Sequence, residues 1–71
     1  MNITKTEIKK LEKLACEYRA YSKNQYFEDI LDSEMCLIIS ILARNKATTW
    51  IRQFTSNCIE VSTMCKLILE N

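Results

Sequence analysis

The chain has 71 residues, 48% of them hydrophobic, a net charge of +1, and no glycine, proline or histidine. At average usage of about 7% Gly and 5% Pro, a chain of this length carries roughly five of the first and three or four of the second. Their absence excludes a phosphate-cradling loop, a dinucleotide fingerprint and an EF-hand turn. The missing imidazole excludes Ser-His and Cys-His couples and histidine metal ligation.

A domain this small buries only about 60% of its unfolded surface, so core burial and chain entropy nearly cancel. Disulfides, a metal or a partner usually make up the difference. Cys16, Cys36, Cys58 and Cys65 are spaced by 20, 22 and 7 residues, with no Cys-x-x-Cys pair. That spacing points away from a metal centre. The stretch from Met1 to Lys13 alternates charged and apolar residues and lacks the apolar core of a signal peptide. The expectation is therefore a cytoplasmic chain with reduced, mostly buried thiols, no cofactor, and a partner as the missing source of stability.

The first helix is predicted over about 4–22. Thr4 with Glu7 three residues on forms a capping box, and Ile3 with Ile8 stands in the staple positions. Ile8, Leu11, Ala15, Tyr18 and Ser22 then follow steps of three and four, with Leu14 and Tyr21 widening the stripe. Lys9, Lys10, Glu12, Lys13, Glu17 and Arg19 form the solvated face, and Asn24 takes the left-handed stop in the absence of Gly.

The second helix is predicted over about 26–44. Its start is acidic, with Glu28, Asp29, Asp32 and Glu34, which suits a helix N-terminus. Asp32 or Ser33 is also placed to cap a fresh helix, which leaves a kink or break at 29–33 open. Residues 35–43 hold one hydroxyl, Ser40, as their lone polar side chain. A helix apolar all round is buried all round, and nine residues fall well short of the roughly 20 that span a bilayer. Arg44 and Lys46 suit the last carbonyls, with Asn45 in the left-handed slot.

The third helix is predicted over about 48–70, capped by Thr48 or Thr49. Ile51, Phe54, Cys58, Val61, Cys65 and Ile68 form a heptad seam, thickened by Trp50, Met64 and Leu67. Its outer residues, Gln53, Thr55, Ser56, Asn57, Ser62 and Thr63, are neutral; between Thr48 and Asn71 charge is confined to Arg52, Glu60, Lys66 and Glu70. Charge depletion with Trp, Phe and Met present matches interface composition. Residues 1–34 hold seven acids and six bases, and 35–71 two acids and four bases, so the charge-poor half is the C-terminal one.

The fold expected is all-α: a small three-helix bundle, or a helical hairpin with a long C-terminal helix, in one domain. Its function is expected to be non-enzymatic, an adaptor or chaperone that buries the charge-poor face against a helical partner protein or another copy of itself. Trp50, Phe54, Val61, Met64 and Ile68 are the expected anchors. The alternative is a small helical regulator that meets nucleic acid through Arg44, Lys46 and Arg52 around the second turn. The acidic set offers no convergent partner for catalysis, and seam cysteines are inert.

Two resemblances accompany this reading. Residues 58–69, with Cys58, Val61, Met64, Cys65 and Ile68, together with Leu11-Glu12 and the turn at 45–48, resemble the small co-chaperones that hold the needle subunit of type III secretion systems. The resemblance implies a helical hairpin that sequesters a partner helix jointly with a second chaperone. Trp50-Ile51-Arg52-Gln53 followed by Cys58-Ile59 is similar to the C-terminal helix of the PerC-like enterobacterial regulators, with Phe54-Thr55 standing where that family has a basic pair.

Overall fold

The computed structural model describes residues 1–20 and 25–71, without the side chains of Arg19 and Ala20. Four α-helices account for most of the described residues, and no strand occurs among them: α1 Lys5–Ala20, α2 Asp32–Arg44, α3 Thr48–Thr55 and α4 Val61–Glu70, with a 3-10 turn at Phe27–Asp29. The all-α class is as expected. The predicted end of the first helix at 22 and the left-handed Asn24 lie outside the described residues.

Helix α1 begins where its local chemistry sets it. The Thr4 N–H donates to Glu7 Oε1 at 2.9 Å and the Glu7 N–H donates to Thr4 Oγ1 at 3.1 Å, which completes the capping box. Leu11, Leu14 and Ala15 are buried, Ile8 and Tyr18 are half-buried, and Lys9, Lys10, Glu12 and Lys13 are exposed. That stripe packs mainly against α4, so the first and last helices are neighbours and the Met1 amino group donates to the Asn71 carbonyl. Helix α2 in turn packs against α3.

The second predicted helix is broken in the region left open. The 3-10 turn precedes an extended Ile30 and Leu31, and α2 starts at Asp32 with Leu31 as its N-cap residue. Neither Asp32 nor Ser33 caps it. Glu34 Oε1 instead accepts the Leu31 N–H at 3.2 Å, one half of a capping box whose other half a leucine side chain has no acceptor to supply. The run at 35–43 is not buried all round. Ile38, Ile41 and Leu42 are fully buried, while Cys36, Ser40 and Ala43 are exposed. A 71-residue domain has too little interior to surround a helix.

The largest departure is the third helix, which is two. α3 ends at Thr55, residues 56–60 turn, and α4 starts at Val61. Thr55 Oγ1 donates back to the Ile51 carbonyl at 2.8 Å, a bond that competes with helix continuation, and Asn57 adopts φ 57°. Asn accepts that left-handed conformation with little strain, so it does the work of the missing glycine. At the α2–α3 turn the left-handed residue is Lys46, φ 56°, and not Asn45, whose φ is −92°. The residue before α3 is Ala47, so the predicted threonine caps are also displaced: Thr48 opens the helix and its hydroxyl donates to the Lys46 carbonyl at 3.4 Å.

One core joins the helices: Leu11, Leu14 and Ala15 from α1, Ile38, Ile41 and Leu42 from α2, Phe54 from α3, and Val61, Met64, Cys65 and Ile68 from α4. Phe27 of the 3-10 turn meets Phe54 edge to face, with centroids 5.4 Å apart and planes at 82°. The Val61 N–H donates to the Gln25 carbonyl at 2.6 Å, so this turn is pinned to the start of α4 as well.

Candidate functional site

The five expected anchors divide sharply. Phe54, Val61, Met64 and Ile68 have no solvent exposure and form the core; Trp50 alone is half-buried. The seam is covered from within, its α4 part above all by α1 and Phe54 by α2 and Phe27, and four of the five are corrected to structural residues. Cys58, also placed in the seam, is exposed.

The neutral outer surface is real on α3. Thr48, Thr49, Arg52, Gln53 and Thr55 are exposed, and Trp50 and Ile51 are half-buried at the margin of the core. Ser56 and Cys58 extend the surface into the following turn, where Ile59 is half-buried. From Ala47 to Ile59 the sequence carries one charge, Arg52. In the same turn Asn57 Oδ1 is buried without a hydrogen-bond partner.

The three cations of the alternative do not act together. Arg44 is engaged by the N-terminal segment: its Nη2 and Nη1 donate to Glu7 Oε1 and Oε2 at 2.6 and 3.1 Å, and its Nη2 and Nε donate to the Asn2 carbonyl at 2.7 and 3.2 Å. Asn45 joins in, accepting the Asn2 N–H at 2.6 Å and donating to the Asn2 carbonyl at 3.1 Å. The hydrogen bond from Arg44, reinforced by the Thr4 backbone, holds the Glu7 carboxyl down at about 2, and the same contact raises Arg44. Lys46 and Arg52 remain exposed. Residues 37 apart in sequence make the Glu7–Arg44 pair, and no local pattern announces it.

Other polar groups are structural in character. Tyr18 OH donates to Glu34 Oε1 at 2.6 Å and joins α1 to the start of α2; burial, then this bond, pushes the phenol well above its ordinary range. Burial pushes the Cys65 thiol up to about 12, with the Glu34 carboxylate adding to the shift. The thiols are all free, and the expectation that most are buried is corrected: Cys16, Cys36 and Cys58 are exposed. An open groove of about 240 Å³ between α1 and α2 has Leu14 and Leu37 among its apolar lining and Lys10, Lys13, Glu17, Ser33 and Glu34 among its polar lining. It is smaller than the roughly 300–1,000 Å³ of ordinary small-molecule sites. Lys13 and Glu17 neutralise each other there at 3.9 Å. Among the described residues no group of three or more Cys, Asp or Glu gathers as a metal site, and no helix is long and apolar enough to cross a membrane.

No family model, curated protein or solved structure matches this chain.

Proposed function

We propose that this chain is a non-enzymatic protein-binding module of the adaptor or chaperone kind, and that its contact face is the outward side of α3 with the turn that follows. The observation that carries the reading is the exposed, uncharged set Thr48, Thr49 and Gln53 on α3 beside half-buried Trp50. Aromatic enrichment with depletion of charge marks interface cores, and a tryptophan at the margin is a natural anchor. The partner is a protein, helical in this reading, or a second copy. Three exposed free thiols support a reducing, cytoplasmic setting.

The test is affinity capture from the source cells with the natural chain and with the variant Thr49→Lys/Gln53→Glu. Both positions are exposed, so the variant keeps its fold. The reading expects a protein retained by the natural chain and lost, at least tenfold, by the variant. Equal retention, or none by either chain, overturns it.

One observation favours the nucleic-acid reading. α2, a three-residue turn and α3 run helix-turn-helix fashion, with Thr48, Thr49, Arg52 and Gln53 outward at positions from which such helices reach base edges. With Arg44 engaged by Glu7, two free cations near the turn give little hold on a phosphate backbone. This reading requires a DNA shift that weakens steeply with salt and is lost in Lys46→Ala/Arg52→Ala.

A further inference from the structure

Leu31 is 65% exposed and Tyr26 36%, and these are the exposed large apolar side chains among the described residues. They flank the 3-10 turn, with exposed Glu28, Asp29 and Asp32 interleaved. Their exposure is fixed by the fold and is no accident of a loose loop. Phe27 is stacked on core Phe54, the Gln25 carbonyl holds the Val61 N–H, and Glu34 holds the Leu31 N–H. The Leu31 side chain belongs neither to the core nor to the apolar side chains packed against it. It occupies an N-cap with φ −70° and ψ 147°, the backbone in which Ser, Asp, Asn or Thr satisfies a free N–H of the first turn. Leucine makes no such bond and is among the poorest residues there. A residue that neither caps nor packs, on a rigid mount, fits a contact made outside the chain.

The charge around it says of what kind. No Lys or Arg lies between Gln25 and Ala43, and the three acids beside Leu31 and Tyr26 are all exposed. Among the described residues, Lys10 and Lys13 line the α1–α2 groove together with Ser33, Glu34 and Glu17, and Lys13 is paired with Glu17. We infer that residues 26–32 form a second docking surface, for a basic amphipathic helix of another protein, which seats an apolar side chain against Leu31 and Tyr26 and sets lysines or arginines on Glu28, Asp29 and Asp32. The apolar contact supplies hold and the charges select sign and orientation. This surface is separate from the outward face of α3 and stands whether or not that face binds.

The probe is a labelled 14-residue amphipathic helical peptide of leucine and lysine, read by fluorescence anisotropy, with the same peptide carrying glutamate for lysine as its counterpart. The chain's net charge of +1 keeps general attraction to the lysine peptide small. The lysine peptide is expected to bind at least tenfold more tightly than the glutamate peptide, and Leu31→Ser to weaken it at least tenfold. Because serine supplies the missing cap, the same variant should melt about 4 °C or more higher. Loss of binding with a gain in stability is a combination that unfolding cannot mimic. Equal binding of both peptides, undiminished binding by Leu31→Ser, or a lower Tm in that variant overturns the inference. So does self-association of the natural chain that Leu31→Ser abolishes, since the occupant is then a second copy.

Discussion

Phe54 offers the sharpest test of the fold. It is fully buried and meets Phe27 edge to face at 5.4 Å. A domain of this length has a total stability of about 4–11 kcal/mol, at 0.05–0.15 kcal/mol per residue. Truncating a buried phenylalanine to alanine costs about 3–5 kcal/mol, enough to unfold the chain if it lies at the low end. Phe54→Leu is the more informative change. It keeps most of the apolar volume, at a repacking cost below about 1.5 kcal/mol, and it forfeits the ring pair, worth about 0.5–1.5 kcal/mol beyond area. The expected loss is about 1–3 kcal/mol, read as a lower urea midpoint with unchanged m. Trp50, the single tryptophan and a neighbour on α3, reports unfolding by fluorescence, with far-UV circular dichroism as the second probe. A cycle with Phe27→Leu isolates the pair, and the coupling expected is about 0.5–1.5 kcal/mol. Coupling indistinguishable from zero, or a Phe54→Leu chain as stable as the natural one, refutes the placement of this ring in the core.

Four further outcomes follow from the same structure. The Glu7 carboxyl is held at about 2 against an ordinary 4.5, so its contribution to stability is present above pH 4.5 and lost as pH falls toward 2; acid titration of Glu7→Gln should lack that share of the decline. Cys65 behaves with the opposite sign: its thiol is raised to about 12 from 9, so stability is intact below pH 9 and falls as pH rises toward 12, and Cys65→Ala should flatten the alkaline limb while Tyr18 still contributes to it. In a thiol-reagent assay of the native chain, Cys16, Cys36 and Cys58 should react promptly and Cys65 only on unfolding; four prompt thiols contradict the packing of α4. Lys46→Gly relieves a left-handed lysine, a penalty of about 1–2 kcal/mol against about 0.4–1 kcal/mol of added unfolded-chain entropy; the urea midpoint should rise, and a fall shows that the turn is held otherwise.

What was legible in the sequence is what is decided within a few residues. Thr4 and Glu7 stand three apart and find each other in any helix that starts there, so α1 begins where its capping box does. The alternation of Leu11, Leu14 and Ala15 with charged residues likewise fixes which side of α1 is inward. The site was less legible because a core seam and an interface seam have the same composition. Nothing local to Val61, Met64 and Ile68 says whether α1 or another molecule covers them, and that depends on contacts more than 40 residues away in sequence; Phe54 likewise is covered by Phe27, 27 residues away, and by α2. Arg44 was misassigned for the same reason, its partners Asn2 and Glu7 lying at the other end of the chain.

The split of the third helix has its own lesson, because the heptad spacing survives it. Phe54 and Val61 stand seven apart and both point inward, yet residues 56–60 between them are a turn. Without Gly or Pro the break rests on Thr55, Ser56 and Asn57, three consecutive residues whose side chains compete for backbone bonds, and that run was the available cue. It also divides the charge-poor stretch into two parts with different meaning. Thr55, Ser56 and Asn57 are neutral because a glycine-free turn requires such residues, so their lack of charge says nothing of a partner. Thr48, Thr49 and Gln53 lie exposed on a regular helix, where Lys or Glu would serve helix formation as well or better than threonine. Their neutrality is not demanded by the fold. The case for a protein contact on α3 therefore rests on those three residues and on Trp50 beside them, and changing Thr49 and Gln53 addresses it where changing the turn would not.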